Sequence, residues 1–418
     1  MLRSIALLLL LAGAATAADN WPQFRGPNGD GISTAKNIPT TWTDTENVRW
    51  KRAIHGKGWS SPVFTDNEIW LTTADETGDG KTVSYVKFFA IAVDRKSGII
   101  LHDIPLFEED KPAFCHPFNS YASPTPVVEG DRAYIHFGSH GTACVNANNG
   151  ETIWKRKDLE CNHFRGPGSS PILWNNLLIL SFDGFDQQYV VALEKTTGKT
   201  VWKKDREIKY KNSNGDYKKA YSTPQVIDVN GAPQLISPAA EQTIAYNPKD
   251  GEELWRVSHG GMNQSIRPIL THGLIILNSG HTGNLLAIKP GKLGDITKDS
   301  IEWKYEKKSP SRPSVLAVKD HLYMVSDNGI ATCLETKTGK RIWEERVDGS
   351  FSASPIFVDG NIIEPNEAGK VHVFAADPAK FTSVSVNKMP DGIMASPAAA
   401  GDTLYLRTKS HLYAIGKK

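Results

Sequence analysis

The chain has 418 residues, 48 basic and 46 acidic, with a formal net charge of +2 spread along its whole length. That balance leaves no electrostatic footprint for a nucleic acid partner, and four cysteines are too few for a disulfide-built scaffold of this size. Length alone suggests two or three domains, a prior that the repeats described below replace with one.

Residues 1–17 read as a signal peptide. Arg3 supplies a positive start, Ile5 to Leu11 an apolar run too short to span a bilayer, and Ala15-Thr16-Ala17 a small-x-small cleavage site. No cysteine lies beside that site to carry a lipid anchor, and no later stretch is apolar enough for a transmembrane helix. We expect an exported monomer, periplasmic or secreted. Residues 18–45 read as an arm that packs on the rest, with Trp21 and Phe24 as its anchors.

From residue 46 the chain repeats. An acid or amide, three residues, Gly, three residues and Trp recur in "NANNGETIW", "EKTTGKTVW", "NPKDGEELW" and "ETKTGKRIW", and "DRKSGIILH" puts His102 in the Trp place. The Gly198-Lys199-Thr200 of the second copy imitates the tail of a phosphate loop, but position 193 is Leu where such a loop needs its first glycine. The motif is therefore a hairpin turn. The acid or amide bonds the turn's own N–H groups, Gly takes a left-handed conformation, and Trp opens the burial of the outgoing strand.

Upstream of each turn stands a two-residue marker: Ser61-Pro62, Ser123-Pro124, Ser170-Pro171, Thr223-Pro224, Arg267-Pro268, Arg312-Pro313, Ser354-Pro355 and Ser396-Pro397. Each marker opens an apolar stretch, a polar turn and two further apolar stretches, and the Gly turn with its Trp strand completes the unit as four short antiparallel strands. Eight such units predict an all-β, eight-bladed β-propeller over residues 46–418. Proline suits the innermost strand because that edge faces the central channel and owes no ladder bond. The eighth unit lacks its Trp strand, and "ENVRWKRAI" at residues 46–54 matches it, so an N-terminal strand is expected to close the ring. Insertions at residues 75–85 and 106–119 lengthen the first interval.

These repeats resemble the pyrroloquinoline-quinone-repeat (quinoprotein-like) β-propellers over nearly the whole mature chain. The opening "NWPQFRGPNGDGIS" is similar to the start of a secreted bacterial group of such propellers, through Trp21, Phe24, Arg25, Gly26 and Gly31. The resemblance implies two kinds of relative. Quinoprotein dehydrogenases hold the quinone and a calcium ion on the propeller axis and carry a disulfide between adjacent cysteines. No adjacent pair and no CxxCH haem site occur here, and none of their functional residues is matched. The propeller subunit of the outer-membrane β-barrel assembly machinery is a non-catalytic scaffold. The expected role is an exported binding or scaffold propeller that takes a small ligand, a carbohydrate or a protein at its central funnel, with a quinone-dependent dehydrogenase and a carbohydrate-binding propeller as alternatives.

The funnel rim is expected just ahead of each first strand, at Trp59, Tyr121, Arg165, Tyr221, Gln264, Arg312, Phe351 and Met394. Aromatics and arginines converging on a concave opening suit ligand binding, whereas the bland alternative packs each against its neighbouring blade. The "HFGSH" stretch at residues 136–140 lies on strand-and-turn sequence rather than a zincin helix, and no metal site is expected. No nucleophile elbow is present. Cys144 and Cys333 fall in third strands as small buried residues, while Cys115 and Cys161, at equivalent points of consecutive blades, are candidates for a disulfide.

Overall fold

The computed structural model describes residues 20–417, other than 66, 307 and 308. The expected signal peptide lies outside the described residues. Eight antiparallel sheets follow one another in sequence and form the blades of a propeller. Blade 3 shows the plan, with strands Ile172–Trp174, Leu177–Asp183, Gln188–Glu194 and Thr200–Asp205 running from the axis outward. Blade 8 is closed by the N-terminal segment: Val48–Ala53 pairs antiparallel with His411–Ile415, Trp50 opposite Ala414. Pairing of the two chain ends removes the edge that an open array would leave bare.

Blade 1 is the largest. Its three outer strands, Glu68–Gly78, Val83–Asp94 and Ile100–Asp110, run 11, 12 and 11 residues. The two sequence insertions thus extend a hairpin and an outer strand, and only residues 111–119 form a free loop.

The Gly turns join neighbouring blades. Gly198 has φ +72 and donates to the Glu194 carbonyl at 2.8 Å. A Cβ at Gly198 would stand 2.7 Å from the Trp154 ring of the blade before. That indole donates to the Lys195 carbonyl in the same turn at 3.0 Å. Trp50, Trp202, Trp303 and Trp343 likewise donate to carbonyls of Arg95, Pro248, Thr336 and Asp377 in the next blade. His102 does the same between blades 1 and 2, its Nε2 lying 3.1 Å from the Ala147 carbonyl. Blade 5 has no such Gly turn. Its Gly294–Asp295 instead adds a short parallel strand beside Trp255 and Arg256, and the Trp255 indole donates within its own blade to Gln234 at 2.8 Å. Between the blades lie buried aliphatic clusters, such as the one that unites Ile91, Val373, Leu406 and Tyr413 of blades 1, 7 and 8.

Candidate functional site

The axis is lined by a ring of hydroxyls. The Ser61 amide donates to Thr125 Oγ1 at 2.9 Å, Thr125 to Ser170 at 2.9 Å, and Ser170 to Thr223 at 3.0 Å. The ring resumes with Arg267 to Ser314 at 3.1 Å, Ser314 to Ser354 at 2.9 Å, Ser354 to Ser396 at 2.8 Å and Ser396 back to Ser61 at 3.0 Å. Each blade contributes one residue, and blade 5 alone offers Arg267 in place of a hydroxyl. The ring also corrects two markers. Blade 2 enters it through Thr125 rather than Ser123, and blade 6 through Ser314 rather than Arg312. In both, the Pro of the marker stands one residue ahead of the ring position, where in the other blades it stands one residue after.

The N-terminal arm crosses this axis. Trp21 pairs with Phe64 of blade 1, whereas Gln23 Oε1 and the Phe24 carbonyl accept from Arg267 of blade 5. Within four residues the chain therefore passes from one side of the ring to the other. Arg25 then inserts between blades 6 and 7, donating to the carbonyls of Val315 at 2.8 Å and Pro355 at 3.2 Å. Residues 31–36 continue along blades 7 and 8, where Ser33 Oγ donates to the Ala399 carbonyl at 2.8 Å.

Above the arm opens a cavity of about 930 Å3 in which Phe24 is part of the lining. Trp59, Arg165, Tyr221, Arg312 and Met394 all line it. The other three expected rim residues lie elsewhere. Phe351 is fully buried in the cluster between blades 6 and 7, Gln264 is buried with its amide toward the Gly260 carbonyl, and Tyr121 is buried with its hydroxyl on the Ala113 carbonyl at 2.7 Å. Gln264 and Phe351 each stand three residues ahead of the ring position, whereas Trp59, Tyr221, Arg312 and Met394 stand two ahead. Sequence reasoning missed His116, Phe118 and Asn119, which reach the cavity from the loop at residues 111–119, as well as Met262, Asp216 and His281.

That loop crosses the mouth. Trp59 Nε1 donates to the Phe118 carbonyl at 3.1 Å, and Asn119 Nδ2 to the carbonyls of Arg165 and Pro167 at 2.9 and 3.0 Å. The Phe118 ring lies 4.6 Å from the guanidinium of Arg312, three blades away round the ring. The charged groups are matched. Arg165 grips Asp216 through two bonds of 3.1 and 2.8 Å, which hold that carboxyl down at about 2, and Lys219 meets its Oδ1 as well. Arg312 pairs with Asp327 at 2.6 Å and Glu367 at 3.1 Å. Burial pushes the Tyr221 phenol up and the His281 imidazole down, so both are neutral at pH 7.

The model of the family described as outer membrane protein assembly factor BamB, built on the quinone-type repeat, matches residues 40–184 and 186–418. The chain belongs to the BamB-type propeller family. Among solved structures, BamB from Moraxella catarrhalis is 12% identical, with 80% of this chain and 98% of that one covered at a TM-score of 0.56. A europium-containing methanol dehydrogenase is 10% identical, with 95% and 98% covered at 0.70. The quinohemoprotein alcohol dehydrogenase from Comamonas testosteroni is 10% identical, with 96% and 81% covered at 0.67. At these identities the likeness is one of fold. No curated protein matches the sequence.

The donor set of the funnel bears on whether a calcium-bound quinone could sit there. Calcium takes six to eight oxygens at close range. Here Asp216, Asp327 and Glu367 already accept from arginine or lysine, and no group of three His, Cys, Asp or Glu able to hold a metal occurs among the described residues. The residues present do not fit a calcium-bound quinone.

Two of the four cysteines depart from expectation. Cys115 and Cys161 are both free. Cys115 packs beside the cluster of blades 1 and 2, with Sγ toward the Arg165 carbonyl at 3.8 Å. Cys161 turns into the cluster of blades 2 and 3, its Sγ 3.9 Å from His163 Nδ1. The two thiols face different interfaces, and burial pushes both above the ordinary thiol range, Cys115 to about 12. Cys144 and Cys333 are buried in third strands.

Proposed function

We propose that this chain is an exported, non-catalytic binding or scaffold propeller that takes a ligand or the end of a partner in its funnel. One observation carries the reading. The funnel offers aromatic, thioether and hydroxyl surface, while each of the carboxylates Asp216, Asp327 and Glu367 is already engaged by a base. Such a site has shape and stacking area for recognition, yet leaves no free acid, base or activated nucleophile among these groups. No helix among the described residues is long and apolar enough to cross a membrane, and membership of the BamB-type family supports action beside other proteins of an exported compartment.

The test has two arms. Purified protein is titrated with saccharide and peptide panels by calorimetry, with Trp59→Ala and Tyr221→Ala as controls. Saturable binding that both substitutions weaken at least tenfold supports the reading. In parallel, the protein is supplied with pyrroloquinoline quinone, calcium and alcohols and assayed for dye reduction; turnover would overturn it.

A further inference from the structure

Three guanidiniums are buried around the hydroxyl ring. Arg267 is itself the ring residue of blade 5, Arg25 bonds the carbonyls one residue past ring positions 314 and 354, and Arg407 bonds Ser60, one residue before ring position 61. All three are within 2% of complete burial. Their partners are carbonyls, one amide oxygen and one hydroxyl, and none has a carboxylate within ion-pair distance among the described residues. The Nε of each lacks any partner. Burial lowers them to about 10, 9 and 9 for Arg25, Arg267 and Arg407, so they stay charged at neutral pH.

Two acids lie near. Glu364 is fully buried, neither of its oxygens has a partner, and burial raises it well above the carboxylate range. Asp30 of the arm accepts from the Ile32 amide through Oδ1 at 3.0 Å. The shell behind the ring therefore carries more positive than negative charge, although none of the three guanidiniums itself lines the cavity, whereas the mouth is balanced. Because the guanidiniums themselves are buried, that excess is weakly screened.

The ring supplies the contacts. Ser61, Thr125, Ser170, Thr223, Ser354 and Ser396 all line the cavity. Each hydroxyl oxygen is pinned by an accepted amide proton, and none of the six donates its own proton among the described residues. Six hydroxyls from different blades thus line the cavity with their protons free to be donated.

We infer that the funnel floor is a site for a carboxylate carried on a ring-sized organic body, held by the hydroxyl ring over the buried arginines, with the body between Trp59 and Tyr221. This rests on the funnel being the binding site and adds the charge of what enters it. Hydroxyls that donate to an anion make charge-assisted bonds, which are stronger than neutral ones.

Matched pairs test it by calorimetry on the full mature chain: galacturonate against galactose, and benzoate against benzamide. Each acid should bind at least tenfold more tightly than its neutral twin. Combining Ser354→Ala with Thr223→Val should erase that margin, while Ser354→Thr, which keeps the hydroxyl, should retain it; melting curves confirm that each variant is folded. Equal affinity within both pairs, or no binding of either acid at 10 millimolar (roughly the weakest affinity a specific site would show), overturns the inference. Neutral twins that bind and are lost in Trp59→Ala would sink the charge preference alone and leave the funnel in place. Acids that bind unaffected by every ring and wall substitution would place the site elsewhere and sink both.

Discussion

The Arg25 guanidinium, carried by an arm that begins on blade 1, donates to the Val315 carbonyl at 2.8 Å at the opening of blade 6. The same guanidinium also serves Pro355 of blade 7 and Asp30 of its own arm. Removing it leaves two inner-strand carbonyls dry in a buried setting. Arg25→Ala is expected to lower unfolding free energy by about 3 kcal/mol, measured by urea denaturation. Arg25→Lys should recover less than half of that, because one ammonium cannot match three diverging acceptors. A loss within measurement error would show that the arm is not coupled to the ring.

Two glycines separate turn strain from blade docking. Gly198 and Gly231 both have positive φ, at +72 and +85, but a Cβ at Gly198 meets the Trp154 ring whereas nothing lies near one at Gly231. Gly231→Ala should cost about 1 kcal/mol, the conformational penalty alone. Gly198→Ala should cost about 2 kcal/mol more, since the indole must also move. Equal losses would mean that the indole contact adds no stability.

His102 occupies the docking position that a Trp fills in most other blades, and Gly150 lies against its ring. His102→Trp restores the larger apolar face while keeping an N–H for the Ala147 carbonyl. An increase in stability of about 1 kcal/mol is expected, of the size seen for consensus changes. A fall in melting temperature would indicate that the stack on Trp70, at 6.1 Å between centroids, leaves no room for an indole.

His136 is buried, its Nδ1 2.8 Å from Thr142 Oγ1, and burial lowers its pKa from 6.5 to about 3. Because the folded value is depressed, the unfolded chain binds the proton first. The contribution of His136 is therefore complete above about pH 6.5 and is lost as the pH falls toward 3. Stability measured by denaturant titration should decline with acid through that window, and His136→Gln should flatten the slope there. An unchanged slope in the variant would remove His136 as its source.

Much of the architecture was legible because a propeller repeats its physics. The Gly turn and its Trp mark the same junction in blade after blade, and Trp50, orphaned near the N-terminus, could only complete the blade that lacked a fourth strand. The rim was less legible because it depends on register to the residue. "SPTP" at 123–126 offers two prolines where one belongs, and nothing local says that Thr125 rather than Ser123 joins the ring. A slip of that kind relocated Tyr121 into a blade interior. Phe118 beside Arg312, and Arg25 between Val315 and Pro355, pair residues nearly 200 and 300 positions apart, or more, and no periodicity encodes such meetings.

The arm runs across the axis from blade 1 to blade 5 and puts Phe24 into the cavity lining, so it lies across the path through the ring. Nothing can be threaded through this ring, so whatever enters must leave the way it came. A long polymer could present only its terminus, never an internal stretch. Recognition here would count chain ends rather than chain length, and doubling the length of a polymer at constant mass would halve the number of sites it offers.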